Sequence, residues 1–118
     1  MLQLFVTEKD RTVTFAIDGF IDAAAEKNLS ACVTEILVKH PLAVTLHFCN
    51  LNVPKEDGFR VIEFLGNSLA QDGAKVFLSG FNEEVRGELI RRGQIKENQI
   101  FDTIQDSRDA ATADREGR

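Results

Sequence analysis

Hydrophobic and polar positions recur along this chain with two different periods, and the switches between them mark its elements. Residues 2–7 read as a strand and Glu8-Lys9-Asp10-Arg11 as a charged turn. Thr12 to Ile17 then alternates strictly, placing Val13, Phe15 and Ile17 on one face. Two such strands joined by a short polar connection predict a hairpin. Asp18-Gly19-Phe20-Ile21-Asp22 breaks the alternation. Gly19 permits a tight backbone there, and Asp22 is a suitable helix N-cap, with Glu26 adding negative charge to the first turn. Ala23 to Lys39 carries helical spacing, with Leu29, Cys32, Val33, Ile36 and Leu37 in one stripe. His40-Pro41 stops it, because the residue ahead of a proline is pushed out of helical geometry.

Ala43 to Cys49 alternates again: Val44, Leu46 and Phe48 on one side, the less apolar Thr45, His47 and Cys49 on the other. Thr12 and Thr14 form a similar polar side, so the sheet is expected to be covered heavily on one face and lightly, or not at all, on the other. Asn50 to Asp57 reads as a loop. Gly58 to Gln71 reads as a helix burying Val61, Ile62, Leu65 and Leu69 and closed at Asp72-Gly73. Lys75 to Ser79 is a short core strand. Asn82 caps a helix over Glu83–Arg92 that Gly93 ends, Ile100-Phe101 is a last short strand, and Ser107 opens a final helix. From Thr112 the chain has little to bury and reads as a frayed polar tail over residues 112–118, leaving one domain over residues 1–111. Strand–helix–strand units imply parallel neighbours with right-handed crossovers. The fold class is therefore α/β: a mixed sheet of four to five strands, with helices packed mainly on one face.

Composition narrows the function. At 118 residues and 43% hydrophobic, the chain is long enough for one core and too short for two domains. No apolar run approaches the roughly 18–20 residues of a membrane span, and the first residues lack a basic region and cleavage site for secretion, so a cytoplasmic chain is expected. Nineteen acidic against fourteen basic side chains give a net charge of -5, which disfavours a fold-wide nucleic-acid surface. The nine Phe sit within apolar patterns rather than interleaved with basic residues. Cys32 and Cys49 fit no metal spacing and read as small core thiols.

A catalytic reading finds little support. The eight glycines form no phosphate-binding loop, and His40 and His47 have no metal-ligand or catalytic spacing around them. Cys49 as a nucleophile needs a lowered pKa and a paired base, for which its same-face neighbour His47 is the only candidate. Arg86, Arg91, Arg92 and Lys96 form a candidate basic patch, but Glu83, Glu84, Glu88 and Glu97 interleave with them and favour a solvated, balanced helix face. No catalytic residue, cofactor or metal is expected. The informative segment is Leu51–Gly58, which follows a buried strand and opens a helix, the usual place of function in this architecture. Glu56 and Asp57 place two carboxylates at that helix start, where they cap backbone N–H groups and also offer an anionic recognition surface.

Several segments, taken together, are similar to the STAS domain family, the bacterial anti-sigma factor antagonists and their relatives. Asp18-Gly19-Phe20-Ile21-Asp22 resembles the family's step into its first helix, and Ala43 to Leu51 its buried strand before the switch loop. Gly58 with its apolar helix and Gly73-Ala74-Lys75-Val76-Phe77-Leu78-Ser79-Gly80 resemble the later helix and strand. Glu84-Val85-Arg86 through Leu89 and Arg92-Gly93 resembles the Val-Arg-x-x-Leu…Gly helix, and Phe101 to Asp106 the closing segment. The matches run in order over about residues 3 to 110. In the antagonists the loop commonly reads Asp-Ser-Ser/Thr-Gly, with the hydroxyl residue before Gly phosphorylated. Here that position is Asp57, preceded by Glu56 and Lys55. Asp57 has no hydroxyl for a serine kinase to modify. A phosphoserine carries about -1.5 to -2 charge, which the Glu56–Asp57 pair approximates. Phosphorylation of Asp57 itself would require an acidic magnesium site that the sequence does not display.

The resemblance implies a non-catalytic regulatory module that binds a kinase/anti-sigma factor of the histidine-kinase-like ATPase fold, or a metal-dependent serine phosphatase. The implied contact residues are Asp22, Val53, Lys55, Glu56, Asp57, Gly58, Phe59 and Arg60, with Glu63 and the Asp22–Ala25 region beside them, and with Val53 and Phe59 as apolar anchors unless the core takes them. The alternative is a structural STAS subunit of a stress-signalling or membrane-transport complex. Oligomeric state is left open, a homodimer among the options.

Overall fold

The computed structural model describes residues 2–49, 56–71 and 73–116. The elements run β1 (Gln3–Lys9), β2 (Thr12–Asp18), α1 (Glu26–Val38), β3 (Ala43–Cys49), α2 (Glu56–Ala70), β4 (Lys75–Ser79), α3 (Glu83–Arg92), β5 (Ile100–Phe101) and α4 (Ile104–Glu116), with single 3₁₀ turns at Ala23–Ala25 and Glu97–Gln99. The five strands lie side by side in chain order, β1-β2-β3-β4-β5. Only β1 is antiparallel to its neighbour. The hairpin loop is two residues, Asp10 and Arg11, at φ 53° and 64°. Positive φ at both positions is the twist that matches two right-handed strands. Leu42 N donates to Arg11 O at 2.9 Å, and the Arg11 guanidinium donates to His40 O at 2.7 Å, which holds the non-glycine turn in place.

The period-2 alternation sorts the two faces as the sequence pattern requires. Val13, Phe15, Ile17, Val44, Leu46, Phe48, Val76, Leu78 and Ile100 share one core with Leu29, Val33 and Ile36 of α1, Ile62, Leu65 and Leu69 of α2, and Val85 and Leu89 of α3. The reverse face carries the opposite-parity residues. Thr14 stands beside Thr45 and Phe77; Ala16 stands beside His47, Ser79 and Phe101. There α4 supplies the cover, with Ser107 Oγ 3.4 Å from Thr45 Oγ1 and both residues fully buried. The arrangement is three helices on one face and one on the other.

Three boundaries differ from the sequence reading. Glu56 and Asp57 belong to the first turn of α2, not to the preceding loop. Acidic side chains suit that turn because unsatisfied N–H groups make it electropositive. The final helix begins at Ile104 rather than Ser107, because Thr103 Oγ1 accepts from Asp106 N at 3.0 Å. The span from Ala23 opens as a 3₁₀ turn before α1 proper. The expected polar tail falls partly in the last turns of α4 and partly outside the described residues. Asp22 and Asn82 do cap as anticipated, each accepting from the N–H three residues on, at 3.1 and 2.8 Å.

Gly80 is the tightest backbone position. It has φ +96°, and a Cβ there would fall 2.0 Å from the carbonyl oxygen of Phe48. Gly93, with φ +86°, closes α3 with open space around it. Gly80→Ala is expected to cost about 3 kcal/mol or more, because strain and a backbone clash add, whereas Gly93→Ala costs about 1 kcal/mol. Urea denaturation of the two variants measures the difference.

Candidate functional site

The carboxyl ends of β2 and β3 and the amino end of α2 meet at one end of the sheet. Gly19 N donates to Cys49 O at 3.2 Å, which ties the β2–α1 connection to the end of β3. Asp22 Oδ1 caps the 3₁₀ turn through Ala25 N. Across from it, Asp57 Oδ2 accepts from Ala23 N at 3.4 Å, while Oδ1 accepts from Gly58 N at 3.1 Å. One carboxylate thus spans the starts of two helical segments 34 residues apart. Glu56 and Asp57 are both exposed.

Their surroundings separate the two acids. Arg92, at the end of α3, donates to Glu56 at 2.9 Å and to Glu63 at 2.9 and 3.1 Å. Arg60 lies 3.5 Å from Glu56, one turn along the same helix. The Arg92 hydrogen bond, helped by the charges of Arg92 and Arg60, holds the Glu56 carboxyl below its ordinary range. Hydrogen bonds to Glu56 and then Glu63 push the Arg92 guanidinium upward, so it stays charged. Glu56 is therefore a neutralised member of an ion-pair network, and the doubled negative charge expected from the pair reduces to Asp57.

The remaining expected contact residues divide further. Arg60 is exposed. Gly58 is buried, Glu63 is buried and held by Arg92 and so is no contact residue, and Phe59 is only 8% exposed, packed in the core with the Arg92 guanidinium 5.4 Å from its ring centroid. Phe59 is an internal anchor and not an offered one, because its ring fills the space between α2 and α3 beneath a cation. Val53 and Lys55 lie outside the described residues. Phe20 was not singled out from sequence, where it reads as one more apolar residue. It stands 46% exposed in the connection between Gly19 and Asp22. The candidate basic patch also resolves: Arg91 pairs with Glu88, Arg92 with Glu56, Glu63 and Glu88, and Arg86 with Glu97 and Asp102.

On the reverse face, His47 Nδ1 and Ser79 Oγ share a hydrogen bond of 2.8 Å. Burial pushes the imidazole below its ordinary value of 6.5. Burial, with the Asp18 charge second, pushes the Cys49 thiol up, the opposite of what a nucleophile needs. His47 is committed to Ser79, and no base activates Cys49 among the described residues. No group of three or more His, Cys, Asp or Glu among them could hold a metal ion, and none of their helices is long and apolar enough to cross a membrane.

The fold defines a known class. The STAS domain model matches residues 3–107, and the chain belongs to the STAS domain family. Among solved structures it is similar to an anti-sigma factor antagonist from Mycobacterium paratuberculosis (14% identity, 95% of each chain, TM-score 0.78). It is also similar to a serine-to-glutamate variant of RsbS from Moorella thermoacetica (16% identity, 97% of this chain and 98% of that one, TM-score 0.80). A third similar structure is the STAS domain of a SulP transporter from Vibrio cholerae (19% identity, 95% of this chain and 89% of that one, TM-score 0.73). These likenesses confirm the fold inferred from the sequence motifs. No curated protein gives a significant sequence match.

Two outcomes check this geometry. Arg92→Ala leaves the Glu63 carboxylate, 5% exposed, without its cation, and is expected to cost about 3 kcal/mol in urea denaturation; Arg92→Lys recovers part of the loss, lacking the guanidinium fork. For His47, the unfolded chain takes up a proton near pH 6.5 while the folded chain resists it, so stability falls as pH drops below 6.5 and levels off under the folded-state value. Thermal melts across that range should show a shallower decline in His47→Gln.

Proposed function

We propose that this chain is a regulatory protein-interaction module of the anti-sigma factor antagonist type, acting by docking and not by catalysis. The observation that carries the reading is the position of Asp57. By its match to the family's loop motif it stands for the phosphorylated hydroxyl, and it lies in the exposed first turn of α2 with its carboxylate reaching across to Ala23 N. Related folds are known in settings of this kind: SpoIIAA in unphosphorylated and phosphorylated forms, and the serine-to-glutamate variant of RsbS. A fixed carboxylate at this helix start holds the docking surface in one charge state, without a serine phosphorylation cycle. The surface is Asp57 and Arg60 of α2, Asp22 and Phe20 of the facing connection, with Val53 and Lys55 beside them in sequence. Phe20 supplies the apolar anchor that Phe59 does not. The partner is a kinase/anti-sigma factor of the histidine-kinase-like ATPase fold or a serine phosphatase, in the cytoplasm.

Similarity to the SulP transporter STAS domain favours one second reading, a structural subunit of a membrane-transport or stress-signalling complex. Affinity capture followed by reconstitution with the purified partner separates the two, since an ATPase or phosphatase supports the first and a membrane complex the second. In the first case, Asp57→Asn, which keeps an oxygen acceptor for Ala23 N, and Phe20→Ala should each weaken binding about tenfold or more, each variant checked for native circular dichroism. Asp57→Ser should accept phosphate from a partner kinase where the native chain does not. A partner that binds both weakened variants like the native chain would overturn the assigned surface.

A further inference from the structure

We propose that β1 is a self-association edge, pairing antiparallel with β1 of a second copy about a two-fold axis through Phe5. The two edges of the sheet are unequal. β5 contributes two residues, while β1 contributes seven in unbroken register with β2. Such a strand presents a row of N–H and C=O groups on its free side, and proteins usually blunt it with proline, a bulge or inward-pointing charge. β1 contains no proline and no bulge, and its two charges, Glu8 and Lys9, sit together at one end. Glu8 is drawn towards α1 by Lys39 at 3.6 Å. The middle of the strand instead exposes two large apolar side chains on opposite faces, Phe5 at 54% and Val6 at 39%.

The identity of the occupant follows from matching the strand against itself. Antiparallel partners must agree in which residues turn their backbone groups outward, so a symmetric pairing has to be centred on a residue and not between two. Centred on Phe5, the pairing sets Phe5 against Phe5 of the second copy on the reverse face. It sets Leu4 against Val6 on the core face, and Gln3 against Thr7. Every apolar residue of this central stretch meets an apolar one and every polar residue a polar one, the cross-strand pairing that stabilises sheets. Centred on Val6 instead, Leu4 would face Glu8; centred on Thr7, Phe5 would face Lys9 and Val6 would face Glu8. The Phe5 register also keeps the Glu8 and Lys9 of each copy away from those of the other, and moves the apolar–acid mismatch out to Leu2 opposite Glu8, beyond the end of β1. The product is a continuous ten-stranded sheet. Because the pairing is antiparallel, the two Asp57 surfaces lie at opposite ends, both free to engage partners, so the association does not depend on what Asp57 binds.

Light scattering over a concentration series, combined with site-directed cross-linking, tests the proposal. The native chain is expected to show a concentration-dependent dimer, lost in Val6→Lys and in Phe5→Lys, each checked for native circular dichroism. In a Cys32→Ser, Cys49→Ser background, Phe5→Cys is expected to form an intermolecular disulfide, since paired Cα atoms lie about 4.5–5.5 Å apart. Thr7→Cys is not, since its symmetry mate lies about 13 Å along the strand. A strict monomer at the highest attainable concentration overturns the proposal. So does a dimer that survives both lysine variants, or one that cross-links through Thr7→Cys and not Phe5→Cys.

Discussion

The end of β3 is gripped from both sides by backbone, and the geometry at that end of the sheet depends on the grip. On one side Gly80 passes so close to Phe48 that no side chain fits between them. On the other, Gly19 N reaches the carbonyl of Cys49. Backbone contacts of this kind have no rotamers to adjust, so they set the spacing between the β2–α1 connection, the end of β3 and the segment after β4 more rigidly than side-chain packing would. The turn that carries Asp22 follows directly from the Gly19 contact, and Asp57 meets that turn through Ala23 N.

Arg92 provides the second fixed relation, between α2 and α3. Its guanidinium lies over Phe59, binds the buried Glu63, and reaches Glu56 at the surface. A planar cation with several donors can satisfy an internal and an external carboxylate at once, which an ammonium cannot do with the same geometry. The result is an electrostatic division of labour in α2: Glu56 and Glu63 are consumed in holding the helix, and Asp57 is left facing the neighbouring turn.

Local chemistry was legible in the sequence, and relations across the fold were less so. The caps at Asp22 and Asn82, the left-handed stop at Gly93 and the order of elements follow from residue types within a few positions of each other. The two unequal faces could be read from Thr45, His47 and Cys49 against Val44, Leu46 and Phe48. The start of α2 was placed late, because two acids ahead of a glycine look like a loop until the helix field that favours them is present. The role of Arg92 was hidden for a different reason. Its partners lie 29 and 36 residues away, and within its own helix it looks like one charge among balanced neighbours. Phe59 is buried and Phe20 exposed for the same reason: apolar patterning identifies residues that want burial but cannot tell which of them the fold has room for.

Strand order identical to chain order has a consequence for how the molecule assembles. Each strand after the first adds at the free edge left by its predecessor, β2 through a hairpin and each later strand after a helix long enough to make the crossover. Growth can therefore track synthesis, every emerging unit finding its template already laid down. The last helix, arriving over the polar side after β5, seals the structure only when the whole ribbon is in place.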